Sequence, residues 1–183
     1  MAILGSQPPS ASASASDLLQ RTHSDADLGD SEAQFLLGVH YGAIDELTQS
    51  ATWYRKAAAQ EHVLAQFNLG IIYARGQGVD PDVAASVQWM QKAANGGDAG
   101  AQFFLGIHFH RASLSRTAPD VGDHRIESFK WFQLASQQDY PDSVEFRDRI
   151  TQAMSWEEVA EANRRADRFG GAATSVVGAD SPV

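Results

Sequence analysis

The chain contains no cysteine. Disulfides, thiolate nucleophiles and thiolate metal sites are excluded, and the absence suits a cytoplasmic setting, which is the expected localisation. Basic charge is scarce: 14 Lys and Arg stand against 23 Asp and Glu, a net charge of −9. Nucleic-acid binding needs a basic face that neutralises phosphates, so no nucleic-acid partner is expected. No apolar run approaches the roughly 18 residues of a membrane span. The opening "MAILGSQPPSASASAS" has a very short apolar run and no basic flank, so it does not read as a secretory signal. Both ends, residues 1–15 and 170–183, are small, polar and without amphipathic period. They are expected to be disordered, because they bury too little apolar surface to offset ordering entropy.

Nucleotide chemistry is also poorly supported. Gly76-Gln77-Gly78 could open a phosphate-cradling loop, but position 81 is Pro where a third glycine would be needed. The preceding "LAQFNLGIIYA" reads as helix rather than strand, and no Gly-Lys-Ser/Thr ending follows. No Gly-x-Ser-x-Gly elbow occurs and no carboxylate pair stands out; Glu157 and Glu158 suit the first turn of a helix. His108 and His110, two apart, point about 200° apart on a helix and cannot share an ion. His40 and His108 recur at one repeat position that Ile72 fills in between. No catalytic, metal or cofactor residue is therefore assigned.

What the sequence does have is repetition. "AQFLLGVHY" (33–41), "AQFNLGIIY" (65–73) and "AQFFLGIHF" (101–109) are identical or closely similar in seven of nine columns. Each is followed by a second block: "SATWYRKAAA" (50–59), "SVQWMQKAAN" (86–95) and "SFKWFQLASQ" (128–137). The blocks hold their internal spacing while the segment between them varies, as two helices joined by a variable loop would. In the first block Leu and an aromatic are four apart, on one helix face. A glycine inside a helix costs about 1 kcal/mol against Ala. Gly38, Gly70 and Gly106 repeat that cost, which points to close approach of a neighbouring helix. In the second block Trp53, Trp89 and Trp131 sit between a serine three before and an alanine four after, the pattern of an interdigitating seam. Asp80-Pro81 reads as an N-cap with proline at the first helical position, and Gly96-Gly97 as the stop. Gly76 and Gly78 then form the turn between two helices.

This pattern resembles the Sel-one-like repeat (SLR) family of the tetratricopeptide superfamily. The match is fullest over 65–97, at Ala65, Leu69, Gly70, Tyr73, Gly76, Gly78, Val79, Trp89, Lys92, Ala93, Ala94 and Gly97. Repeat one lacks the G-x-G turn; repeat three carries Leu134 where the family has Lys, and lacks the terminal glycine. The resemblance implies an all-α fold, a short right-handed α-solenoid of about three antiparallel helix pairs. The solenoid is expected over 16–169, with repeats near 31–62, 63–98 and 99–140. A partial helix precedes them, and a capping pair at 141–169 opens its last helix on a Ser155–Glu158 capping box.

The resemblance further implies a non-catalytic adaptor that binds another protein or peptide on its concave face; the chain is expected to be a monomer. A regulatory or structural subunit packing side-on into one complex is the second reading, and an enzyme a distant third. The expected partner-binding residues lie on the first helices: Phe35, Phe67 and Phe103 three before each glycine, and Val39, Ile71 and Ile107 one after. Arg75, His110 and Arg111 stand at the rim. The alternative is that the three phenylalanines only pack between repeats. The segment 111–123, with Arg111 and Arg116, is expected to be an exposed loop.

Overall fold

The computed structural model describes residues 14–115 and 120–177, with side chains as far as Phe169. The helices are α1 (Ala15–Asp27), α2 (Ser31–Ala43), α3 (Leu47–Ala59), α4 (Val63–Arg75), α5 (Val83–Asn95), α6 (Ala99–Ser113), α7 (Val121–Ser136), α8 (Ser143–Thr151) and α9 (Trp156–Val177). No strand occurs among the described residues. Consecutive helices pack on one another as α2–α3, α4–α5 and α6–α7 pairs, each pair resting on the next, so the fold is an all-α solenoid. α1 packs on α2 at one end; at the other, α8 and α9 both pack on α7.

Local chemistry sets the helix ends. Asp30 and Asp98 cap α2 and α6, each accepting from the backbone N–H three residues on, at 2.7 Å. His62 Nδ1 takes that role for α4, accepting from Ala65 at 3.2 Å. The start of α5 differs from the expected Asp80-Pro81: the cap is Asp82, accepting from Ala85 at 2.9 Å, and Pro81 lies outside the helix. A cap is fixed by which carboxylate reaches an N3 amide, and Asp82 does so from an extended backbone. The capping box on α9 forms as expected, with Ser155 N–H to Glu158 at 2.8 Å and Glu158 N–H to Ser155 at 3.3 Å.

Two boundaries differ from the sequence reading. The loop expected over 111–123 is shorter, because α6 continues to Ser113 and α7 begins at Val121. Residues 116–119, including Arg116, lie outside the description. α9 runs to Val177, beyond the expected end at 169, since nothing between Gly170 and Val177 forbids helix as proline would. Residues 1–13 and 178–183 lie outside the described residues.

The glycine turn serves the backbone. Gly76 is the left-handed C-cap of α4, with φ 68°. Gly78, with φ 71°, lies against the backbone of Leu47, where a Cβ has no room. The position after each second helix also needs positive φ: Gly29 (101°) and Gly97 (93°) are joined there by Glu61 (63°) and Asp139 (54°). Repeat three thus turns without its glycine, at the strain of a side chain in the left-handed region.

The core runs along the stack. Leu37, Leu69 and Leu105 and the alanines Ala57, Ala93 and Ala135 have no exposed surface. Each helix glycine faces the residue after the tryptophan: a Cβ would stand 2.6 Å from the Tyr54 ring at Gly38, 2.8 Å from Met90 Cε at Gly70 and 2.6 Å from the Phe132 ring at Gly106. The seam serine completes two of the three contacts, Ser50 donating to the Gly38 carbonyl at 2.7 Å and Ser128 to that of Gly106 at 2.8 Å. A lysine sits over each tryptophan ring: Lys56 on Trp53 (3.7 Å), Lys92 on Trp89 (4.3 Å) and Lys130 on Trp131 (4.1 Å). Lys130 replaces from the preceding position the cation that Leu134 removes.

Buried glutamines stitch repeat to repeat. Gln34, Gln66 and Gln102, each beside the first alanine of its repeat, donate to the carbonyls of Ala26, Ala58 and Ala94 on the preceding helix. Gln34 and Gln102 also accept from Gln60 and Gln138, at 2.8 and 3.0 Å. The "AQF" columns carried this signal, but periodicity ranks a polar residue as outward-facing and passed over it.

Candidate partner-binding face

The first helices carry the candidate site, and each has two apolar stripes. One holds Leu37 and Tyr41 and their equivalents and faces the core. The phenylalanines three before each glycine belong to the contacts between helices. Phe35 stacks at 4.7 Å on His62, the residue that caps α4. Phe67 lies 3.1 Å from where a Cβ on Gly100 would stand. Phe103 meets Phe132, Tyr140 and Phe146 at 5.5, 5.2 and 5.4 Å. All three are half-buried. They therefore offer only part of their surface to a ligand.

The outward stripe is displaced by one residue, to the positions two before and one after each glycine. Residues three apart on a helix share a face. Leu36 and Val39 on α2 are 46% and 44% exposed, and Leu64 on α4, one turn before Asn68, is 49% exposed. Ile71 on α4 and Phe104 and Ile107 on α6 continue the stripe, half-buried. Leu36 and Phe104 were missed in the sequence because they fall in its least regular column, Leu36/Asn68/Phe104, and Leu64 because it precedes the repeated block, where repeats one and three have Glu32 and Gly100.

Two crevices open along this stripe where one repeat meets the next. The first, about 200 Å3, is lined by Gly42, Leu47, Ser50, Asn68 and Ile71, among others. The second, about 220 Å3, lies at the equivalent place one repeat on and is lined by Ala74, Val83, Ser86, Phe104, Ile107, His108 and Arg111.

The basic residues assigned to the rim separate. Arg75 and Arg111 are exposed in the last turns of α4 and α6 and form no ion pair among the described residues. His110 is half-buried; burial, with Arg149 of α8 close by, pushes its pKa down. It lines neither crevice. His108 is shifted down by burial first, then by His124 and Arg111. At neutral pH the charge of the second crevice thus rests on Arg111. No group of three or more His, Asp or Glu converges as a metal site among the described residues. No described helix is long and apolar enough to cross a membrane.

The spacing of these helix pairs matches the family model described as the Sel1 repeat three times, over residues 31–62, 63–98 and 99–140. The chain belongs to the Sel1 repeat family. Similar solved structures agree. A protective antigen of uropathogenic Escherichia coli displaying an SLR fold superposes with a TM-score of 0.72 at 25% identity, over 92% of this chain and 37% of the antigen. The present chain thus spans little more than a third of that protein. A Sel1 repeat protein from Oxalobacter formigenes superposes with a TM-score of 0.61 at 31% identity, over 71% of this chain and 96% of that one. No curated protein matches the chain. Sel1 repeats are generally protein-interaction repeats, and their fold is typically non-catalytic.

Proposed function

We propose that this Sel1 repeat chain is an adaptor that binds a peptide or partner protein along the outward stripe of α2, α4 and α6. One observation carries the reading: Leu36, Val39 and Leu64 expose apolar side chains in a row that leads into two crevices floored by the seams between repeats. Contiguous apolar surface beside concavities is where proteins bind partners. Direct contact between α2 and α4 supports placing this row on the inner side of the curve. Val39, Ile71, Ile107 and Arg111 remain in the proposed site; Phe35, Phe67 and Phe103 support it from behind.

The test uses the full chain as bait, with Leu36→Ser/Leu64→Ser as the variant. Both side chains are half-exposed, so the helical melt should change little. Loss of a partner that the parent retains supports the face; an unchanged partner list with a folded variant refutes it. The second reading, a subunit packing side-on, draws on Trp156, which is 79% exposed at the start of α9. Under that reading Trp156→Ser loses the partner and the leucine variant keeps it.

A further inference from the structure

The two crevices are equivalent in place but not in chemistry. In the first, the seam serine is satisfied, since Ser50 donates to the Gly38 carbonyl at 2.7 Å. In the second, the matching Ser86 is 1% exposed and its hydroxyl has no hydrogen-bond partner, although Ser128 one repeat further on donates to Gly106 at 2.8 Å. A buried hydroxyl left unpaired costs stability unless something else satisfies it. Ser86 forms part of the crevice wall.

Above it the walls are apolar, made by Ala74, Val83, Phe104 and Ile107. A cavity of about 150 Å3 admits a benzene-sized group. The 220 Å3 here holds one branched or aromatic side chain. Arg111 stands at the mouth, four residues beyond Ile107, or about 6 Å along α6. No acid lines the crevice, and Asp82, beside Val83 of its wall, is engaged as the cap of α5, accepting from Ala85 at 2.9 Å; on α7, Asp123 pairs with Arg165 at 2.8 Å and Glu127 with Arg165 and Lys130 at 2.7 and 2.5 Å. On a chain of net charge −9, an arginine without a carboxylate beside an apolar crevice is selective for negative charge.

We infer that the crevice between α4 and α6 takes an apolar side chain of an acidic partner segment, with the adjoining Asp or Glu carboxylate on Arg111 and a polar atom of the segment on the Ser86 hydroxyl. This rests on the binding face proposed above and specifies its partner: a hydrophobic residue flanked by an acid. Arg111 itself lines the crevice, one helical turn beyond Ile107, so the side-chain carboxylate of a residue adjoining the buried one is placed to meet it. The first crevice has no cation among its lining residues, so charge is read only at the second.

The probe is acetyl-Gly-Leu-Glu-Gly-amide, whose only charge is the glutamate side chain, titrated into the full chain and followed by backbone amide NMR. Saturable shifts are expected at Ser86, Ile107 and Arg111. The same peptide with Gln for Glu, or Ala for Leu, should bind about five- to tenfold more weakly. Arg111→Gln should bring the Glu peptide down to the level of the Gln peptide, while Arg168→Gln, an exposed arginine on α9, changes nothing. Ser86→Ala should weaken binding yet raise the melting temperature, whereas Ser50→Ala lowers it. Absent or scattered shifts, equal binding of the Glu and Gln peptides, or an unchanged affinity in Arg111→Gln overturns the inference. A terminal carboxylate source shows itself if acetyl-Leu with a free carboxylate outbinds the Glu peptide, which also overturns it. If a partner captured by the bait depends on Leu36 and Leu64 but not on Arg111, only the crevice assignment falls and the adaptor reading stands.

Discussion

Gly106→Ala is expected to destabilise the protein even though alanine is the better helix former. The substitution gains about 1 kcal/mol of helix propensity. Against this, the new Cβ would lie 2.6 Å from two ring carbons of Phe132 and 2.9 Å from a third. Carbon atoms prefer about 3.5–4.0 Å, so the ring must retreat by roughly 1 Å. It has nowhere to go: Phe132 has no exposed surface, and its ring is held by Phe103 at 5.5 Å and Phe146 at 5.4 Å. Overpacking of this kind costs about 1–3 kcal/mol, leaving a net loss of up to about 2 kcal/mol. For a domain of this size that lowers the melting temperature by up to roughly 4–8 °C. Gly70→Ala is the internal control. There the Cβ meets Met90 at Cε 2.8 Å, Cγ 3.0 Å and Sδ 3.1 Å, a flexible chain that can swing aside. Its net effect should lie within about 0.5 kcal/mol of zero, propensity offsetting the repacking. Thermal melts of both variants by circular dichroism decide the matter. If Gly106→Ala melts at or above the parent, or Gly70→Ala is the more damaging, the glycines do not set the helix spacing.

Gln102→Ala removes one of two donors to Ala94 O, which keeps its bond from the Gly97 N–H at 3.1 Å, and the acceptor for the exposed Gln138; a loss of about 0.5–1.5 kcal/mol is expected in chemical denaturation, and no loss would show the glutamine stitch to be dispensable. Glu61→Gly relieves a side chain held at φ 63°, so the melt should rise, by about 1 kcal/mol in stability; a lower melt would show that Glu61 makes a compensating contact. The pKa of His108 is pushed below its ordinary 6.5 by burial, His124 and Arg111, and that of His110 by burial and Arg149. The unfolded chain therefore binds protons more readily, and stability present above about pH 6.5 declines as the pH falls through and below that value. Replacing His108 by Gln should flatten the melting temperature between pH 7 and 5; an unchanged slope would assign the acid sensitivity elsewhere.

The sequence by itself determined the helix pairs and their number. The columns of Leu, Gly, Trp and Ala recur at helical spacing, and each has one physical use, so the three repeats could be bounded at 31–62, 63–98 and 99–140 before any contact was known. It also settled the purpose of Gly76 and Gly78, since a turn between helices and a phosphate loop need different flanks. What it could not determine was which way side chains at the edges of a stripe point. Phe35, Phe67 and Phe103 differ from Leu36 and Phe104 by one position, or 100° of helix, and only the neighbouring repeat decides which of the two is covered. The start of α5 was misplaced for a similar reason: Asp80 and Asp82 have the same chemistry, and the chain path selects the one that reaches an N3 amide. The turns at Glu61 and Asp139 follow the demands of helix packing, which hold positive φ where the residue does not favour it. Ser86 differs from Ser50 and Ser128 in nothing the sequence shows; only in the fold does its hydroxyl lack a partner, beside a crevice that Arg111 guards.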